Sequence, residues 1–378
     1  MKILHIGKYY HPIAGGIEAI TEFVIKSLHD DTHTIISFND SHKSVTERID
    51  GIDIVRAGVL TKIASQPLSL SYFMEIRRAI GRFKPDVVHF HYPNPLGALY
   101  LLLLKKKFKL VIHWHSDVVS QKILSRFVFP VEQMILDRAD SVIVTSPTYG
   151  KMSSGLRNHR DKLSVIPCSI NETRFKLDDK DRSEVEMIRR KYDNRKIILF
   201  LGRHVKYKGL RYLLEAEKLV REDCVLLIAG EGPMTESLKN EFTSERVYWL
   251  GQLTDNQRKI YYSAADIFAF PSITPNEAFG IALLEAMYCG LPAVTFTIPK
   301  SGVNWVSIDQ LTGLEAPNRN VPAYAASLDR LLSDGKLRAQ LGANARERVT
   351  SHYVKDIVSR YYQEFYRDLM QEKPKKQI

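Results

Sequence analysis

A chain of 378 residues is too long for one ordinary core and suits two domains, each large enough to bury the apolar surface that folding requires. Its 44% hydrophobic and 26% charged residues exclude a disordered or fibrous chain. A net charge of +11 leaves three partner classes open: nucleic acid, anionic lipid and acidic small molecules.

The first apolar run, Lys2 to Ile6, begins without a charged leader or cleavage site, so no signal peptide is expected and the cytoplasm is the expected compartment. The loop Lys8 to Ala14 leads to Gly15-Gly16-Ile17-Glu18, where Ile17, Ile20, Val24 and Leu28 share one face of a helix. β-rich runs follow at Thr34 to Phe38, Val87 to Phe90, Leu110 to Trp114, Ser141 to Thr145 and Leu163 to Ile166. Alternating with helical stretches, they predict a parallel sheet with helices on both faces, a Rossmann-like unit. The longest apolar run, Pro95 to Leu104, is about half a membrane span, and Lys105, Lys106, Lys107 and Lys109 follow it. Such a segment suits either an anionic membrane surface or a buried helix with a solvated basic end.

After Pro167 the chain turns polar, and residues 168–194 are expected to be a linker or hinge. Asp179-Lys180-Asp181 within it resembles the acidic triplet of metal-dependent transferases, but no apolar strand precedes it, so no metal site is predicted. Alternation restarts at Ile197 to Leu201, Val225 to Ala229, Val247 to Leu250, Ile267 to Phe270 and Pro292 to Phe296, a second α/β unit. The expected domains are residues 1–167 and 195–353, followed by residues 354–378, a helix returning to the first domain and a basic tail at Lys373 to Lys376. Tyr361, Tyr362, Phe365 and Tyr366 in that helix read as packing residues. Cys168, Cys224 and Cys289 are too scattered for a disulfide framework or metal knuckle and fit a reducing compartment.

Three segments carry chemistry. Gly15 and Gly16 open a helix whose free amides and dipole suit phosphate, although a tight turn accounts for two glycines equally well. Gly7 and Gly15 are too far apart for the G-x-G-x-x-G fingerprint, which weighs against a nicotinamide oxidoreductase. The segment Gly202 to Gly209 follows a strand, at the end where open α/β sheets bind ligands. There Arg203 as a planar fork and Lys208 as a point charge suit a diphosphate, unless the loop is a basic surface turn. Glu277 in a loop and Glu285 two turns into the next helix would lie roughly 12 Å apart, enough to span a sugar and a ribose. Carboxylates accept paired hydrogen bonds from vicinal hydroxyls; a helix-start charge and a buried ion pair are the alternative.

Gly-Gly-Ile-Glu at 15–18, Gly-Arg and Lys-Gly within 202–209, Gly230-Glu231-Gly232-Pro233 and the Glu277 to Glu285 spacing together resemble glycosyltransferase family 4 over nearly the whole chain. The resemblance implies an α/β GT-B fold: two Rossmann-like domains facing each other across a cleft, the first for the acceptor and the second for a nucleotide sugar. It implies hexose transfer with retention of anomeric configuration and without metal or other cofactor, the leaving diphosphate taking the acceptor proton. Arg203 and Lys208 would then neutralise the diphosphate, Glu277 hold the hexose and Glu285 the ribose, with donor contacts from Gly15, Gly16, Gly202, Gly230, Gly232, Leu253, Ala278, Phe279, Gly280 and Ile281. The family carries a sugar-facing histidine where this chain has Val111 to Asp117; His115, preceding Ser-Asp, is the better match and His113 the alternative. Ile298 to Trp305 departs from the family's commoner Gly-Gly-x-x-Glu and looks like the variant of O-antigen transferases. That implies a GDP-mannose-type donor in preference to a UDP-sugar, and a glycan or an undecaprenyl-diphosphate-linked glycan as acceptor; the lysine run leaves an anionic membrane surface open as a partner, and no nucleic acid is expected. A nucleotide-sugar epimerase of the same architecture and a non-enzymatic anionic-surface binding protein are the rivals.

Overall fold

The structure is a computed structural model that describes residues 1–13, 15–63, 66–117 and 122–372, the side chains of Ile63 and of residues 122–127 excepted. Ala14 and the basic tail Lys373 to Lys376 lie outside the described residues. The chain divides into two compact units: Met1–Pro167 joined by the chain end from Ser359, and Cys168–Val358.

The first unit is built on β1 (Lys2–Ile6), β2 (Thr32–Phe38), β3 (Val45–Ile49) and β4 (Ile52–Ala57), a small hairpin of β5 (Thr61–Ile63) and β6 (Gln66–Leu68), then β7 (Val87–Tyr92), β8 (Lys109–Trp114), β9 (Ser141–Val144) and β10 (Leu163–Val165). The sheet runs β10-β9-β8-β7-β1-β2-β4-β3. Its central strands read as unbroken apolar or aromatic runs because helices cover both faces of a parallel sheet; β7 is buried at every residue. The exception is β3, which pairs antiparallel with β4. Its turn is Asp50-Gly51, with φ of 51° and 80°, the positive pair a two-residue hairpin requires. That dipeptide was the available signal for β3 and β4, two strands absent from the predicted alternation.

The second unit holds β11 (Lys196–Leu201), β12 (Cys224–Ala229), β13 (Val247–Gly251), β14 (Ile267–Phe270), β15 (Ala293–Phe296) and β16 (Gly313–Ala316), in the order β13-β12-β11-β14-β15-β16. Every neighbouring pair is parallel. Strand order reverses at β11, with β12 on one side and β14 on the other, so the loops leaving β11 and β14 diverge around a switch point where such sheets bind ligands.

Residues 168–194 are not a linker. They belong to the second unit and carry the helix Asp179–Lys191, closed by a capping box in which Asp181 N–H donates to Asp178 Oδ1 at 2.8 Å and Asp178 N–H to Asp181 Oδ2 at 2.9 Å. Asp181, a member of the acidic triplet, is buried and pairs with Lys259. The helix has so few apolar residues that charge hid its periodicity; its cap and that ion pair anchor it.

The last helix, Lys355–Met370, passes to the first unit at Ser359. Gln363 Nε2 donates to Ser27 O at 2.9 Å, Tyr362 meets Phe23 edge-on, and Tyr366 is fully buried. The helix Pro95–Leu102 buries Ala98 and Leu101 and exposes Leu99, while of the lysines after it Lys106 pairs with Asp140 and Lys109 with Glu372. Among the described residues no helix is long and apolar enough to cross a membrane.

Replacing Asp178 by Ala removes the capping acceptor of the Asp179–Lys191 helix and should cost about 1 kcal/mol. Urea unfolding followed by circular dichroism checks this; an unchanged midpoint would contradict the cap.

Candidate active site

The loops after β11 and β14 meet because of one glycine. Gly209 has φ +68°, and a Cβ there would stand 1.9 Å from the carbonyl oxygen of Pro271, so only glycine permits the approach. Ile273 N–H donates to Tyr207 O at 2.9 Å and ties the loops together. This carries the Lys208 ammonium onto the Glu277 carboxylate, an ion pair with both side chains largely buried. A buried carboxylate is tolerated only when paired and hydrogen-bonded. Ser272 Oγ donates to Glu277 Oε2 at 3.1 Å, and Ser301 Oγ donates to the Glu277 carbonyl. Ser301 lies in the segment that departs from the commoner family pattern; here it braces the Glu277 loop, and Gly302 N–H donates to Ala278 O at 3.0 Å.

Beside this pair, a cavity of about 360 Å³ is lined by Gly202, Arg203, Gly230, Glu231, Gln252, Leu253 and Arg258. Its floor depends on Gly230, at φ +109°, where a Cβ would meet Gly202 O at 2.1 Å. Gly230 N–H donates to Gly251 O at 2.7 Å, which joins the loops after β12 and β13. Gly232 packs against the His204 backbone in the same loop set. Arg203 is exposed and makes no ion pair among the described residues, so its guanidinium is available to an anion. Tyr207 records how closely the charges converge: burial raises its hydroxyl pKa, while Lys208, Glu277 and Arg203 all act on it.

The helix Ile281–Tyr288 starts at Gly280, whose φ of +96° and 3.0 Å approach to the Phe270 ring exclude a larger residue. Phe279 is buried before it, and the first two amides of the helix, Ile281 and Ala282, have no backbone acceptor among the described residues, whereas Leu283 and Leu284 donate to Gly280 O. Glu285, in its second turn, does not touch Glu277. It accepts from Tyr262 OH at 3.0 Å, and burial raises its pKa against the opposing charge of Arg258. Tyr262 and Arg258 fall outside every motif, and Tyr207, Ser272 and Ser301 fall in or beside motifs that do not reveal these contacts, since all five reach the glutamates only through the fold.

Gly15, Gly16 and His115 lie in the first unit. Gly15 caps the helix Gly16–Ser27, both glycines are exposed, and a Cβ on Gly16 would meet nothing within 4 Å, so packing does not demand a glycine there. His115 follows β8, and burial lowers its pKa to about 3. Beneath it His5, His33, His89, His91 and His113 share one face of the sheet, their pKa values also lowered by burial, so all are neutral at pH 7. His89, His91 and His113 bring ring nitrogens within 4.8 Å of one another. Hydrogen bonds already engage both nitrogens of His89, with Tyr366 OH and His113, and both of His91, with Thr21 and His115. The triad is therefore a hydrogen-bonded layer in which a metal would have to displace existing bonds. On the opposite face, Asp117 Oδ1 accepts from Trp114 Nε1 at 2.9 Å and Ser153 Oγ at 2.6 Å, which holds the turn after His115. Tyr92 OH donates to Glu132 at 2.7 Å, and burial pushes the Glu132 carboxyl up to about 7.

Two family models cover the chain in succession: "Glycosyltransferase Family 4" over residues 14–174 and "Glycosyl transferases group 1" over residues 181–348. The O-antigen chain mannosyltransferase C of Escherichia coli is 26% identical over 99% of this chain and all of its own length. The D-rhamnosyltransferase WbpZ of Pseudomonas aeruginosa is 29% identical over 92% of this chain and 91% of its own. Among solved structures, the sucrose-phosphate synthase of Thermosynechococcus elongatus superposes with a TM-score of 0.81 at 22% identity, covering 98% of this chain and 99% of its own. The glycosyltransferase WaaG, involved in lipopolysaccharide biosynthesis, superposes with a TM-score of 0.71 at 16% identity, covering 96% of this chain and 99% of its own.

Glu132 sets a pH dependence. Its folded pKa of about 7 exceeds the ordinary 4.5, so between these values the folded state holds a proton that the unfolded state has released. The stability it contributes is complete below pH 4.5 and is lost as pH rises through 7, by roughly 3 kcal/mol. Wild type should therefore weaken relative to Glu132→Gln across that window in denaturant unfolding; a difference constant with pH would contradict the assignment.

Proposed function

Because the chain belongs to the family 4 and group 1 glycosyltransferases and has their GT-B fold, we propose that it moves a mannose-type hexose from a nucleotide diphosphate donor to a glycan acceptor with retention of anomeric configuration. The observation that carries this reading is the Lys208–Glu277 pair at the switch point, beside the cavity lined by Arg203. The nucleoside occupies the cavity bounded by Gly202, Gly230, Glu231 and Leu253. Glu285, held by Tyr262, accepts from the ribose hydroxyls, and the first amides of the Ile281–Tyr288 helix bind donor oxygens.

In the transfer step the bond from the anomeric carbon to the diphosphate oxygen breaks, the acceptor oxygen bonds to that carbon on the same face, and the acceptor proton passes to the departing diphosphate. No side chain need act as a strong base. Arg203 and Lys208 supply the positive charge that the diphosphate gains against, so transfer proceeds without a divalent cation. Glu277, relieved of Lys208, accepts hydroxyls of the hexose, and neutral His115 accepts from a hydroxyl of the sugar substrate.

Two relatives matched over nearly their whole length are a mannosyltransferase and a D-rhamnosyltransferase, which supports a mannose-type sugar, a GDP-linked donor and a surface-polysaccharide acceptor on undecaprenyl diphosphate. HepE of Anabaena, a structural neighbour at 18% identity, was solved with UDP and glucose, so the donor test includes both nucleotides. Exposed Leu99 and Leu103 beside the lysine run support contact with the anionic membrane face that presents such an acceptor.

Purified protein given a lipid-diphosphate glycan with GDP-mannose or UDP-glucose, in EDTA, should form product only from the first, read by mass spectrometry. Release of free sugar without acceptor would instead favour an epimerase. Arg203→Ala or Lys208→Ala should lower turnover roughly 100- to 1000-fold, with folding checked by circular dichroism; undiminished turnover in both would remove the proposal.

A further inference from the structure

The histidine layer of the first unit determines more than neutrality, because each neutral imidazole has one N–H donor and one bare acceptor nitrogen. Its members are aligned by the parallel sheet: His5 of β1 stands level with His89 of β7, and His91 of β7 level with His113 of β8. Donor directions can therefore be followed from the groups whose roles are not in doubt.

Thr21 is the starting point. Its hydroxyl donates to the carbonyl of Ile17 at 2.9 Å, one turn earlier in the helix Gly16–Ser27, which leaves its oxygen as an acceptor. Both ring nitrogens of His91 lie near that oxygen, Nε2 at 3.2 Å and Nδ1 at 3.4 Å; Nε2 makes the shorter contact, and Nδ1 has a nearer partner in His115, so Nε2 is assigned as the donor. The proton of His91 is then on Nε2, and Nδ1 carries a lone pair. His115 Nε2 lies 3.1 Å from this Nδ1 and must be the donor. His115 is accordingly the Nε2–H tautomer, and its Nδ1 is a bare acceptor with no hydrogen-bond partner among the described residues. The ring plane is held as well as the proton: His91 and His115 are within 5° of parallel, and His113 stacks on His115 with ring centres 4.2 Å apart. The same reasoning assigns His33 Nε2 as donor to Leu28 O and His5 Nε2 as donor to His33 Nδ1, so the layer is ordered throughout this edge.

We propose that Thr21 and His91 are positioning residues that fix the tautomer and ring angle of His115, so that it meets substrate through Nδ1 as a hydrogen-bond acceptor for a sugar hydroxyl and not as a donor. The inference rests on the reading of His115 as a substrate contact, and it names the chemistry of that contact. The series runs from a helix residue through a buried ring to the strand end. Thr21 acts through His91 and need not touch substrate.

The test separates the hydroxyl's bonding from its shape. Thr21→Val keeps the side-chain volume and removes the acceptor, whereas Thr21→Ser keeps the acceptor. In protein labelled with 15N-histidine, long-range proton–nitrogen spectra identify which ring nitrogen of His115 carries the proton, with His115→Gln supplying the assignment. Wild type and Thr21→Ser should show a single Nε2–H form and equal kcat. Thr21→Val should show both tautomers, with kcat reduced roughly 10- to 100-fold, by analogy with losing a partner that orients a metal-bound histidine, and a smaller change in KM. A Thr21→Val protein that keeps the single Nε2–H form overturns the proposal, and so does one that shows both tautomers at unchanged kcat. If His115→Gln itself leaves kcat untouched, the substrate role of His115 fails, while the tautomer spectrum still decides whether Thr21 and His91 set the ring.

Discussion

A carboxylate cannot remain ionised out of water without a partner, and the second unit is arranged around meeting that condition for Glu277. The partner, Lys208, comes from a different loop, so two strand ends must be brought to backbone contact. Gly209 against the Pro271 carbonyl makes the approach possible, and Gly280 against Phe270 turns the chain into the next helix directly afterwards. Ser272 donates to the same carboxylate oxygen that Lys208 meets, and Ser301 donates to the Glu277 backbone carbonyl, which holds the loop. Under the proposed function, a diphosphate arriving at Arg203 would compete for Lys208, and hexose hydroxyls would then replace the ammonium on Glu277. The ion pair keeps both groups buried and oriented, which on the proposed function would limit the reorganisation left for the transfer step.

Glu285 illustrates a different solution. It is buried without a cation in direct contact and depends on the Tyr262 hydroxyl, with Arg258 near enough to favour its charge. Two glutamates in one segment therefore have separate electrostatic environments. That suits them to two different sets of hydroxyls, where a coupled pair would share a proton.

The first unit uses the opposite strategy of removing charge. Burial depresses the histidines of its sheet until all are neutral, and neutrality turns them from mutually repelling cations into donors and acceptors that can be chained. His113 Nε2 and His5 Nδ1 are left without partners inside the layer. The dominant arrangement is nonetheless a set of paired rings anchored by Thr21, Leu28 O and Tyr366.

Much of this was legible from the sequence by itself. Strand positions and their parallel pairing followed from β-rich runs separated by helical stretches, since a strand buried on both faces must be apolar along its length. The loop positions of Arg203, Lys208 and Glu277 and the helical position of Glu285 followed from where those runs end. The helix Asp179–Lys191 was missed because a charged helix anchored mainly by its cap and one ion pair leaves little apolar periodicity, and β3 and β4 were missed although Asp50-Gly51 announced their turn. What only the tertiary structure decided is which side chains meet. Lys208 and Glu277 are far apart in sequence yet form one ion pair, and Thr21, His91 and His115 form one hydrogen-bonded series across a helix and two strands. Periodicity is a property of neighbours along the chain, whereas partner choice and tautomer depend on the three-dimensional register of elements that the chain itself keeps apart.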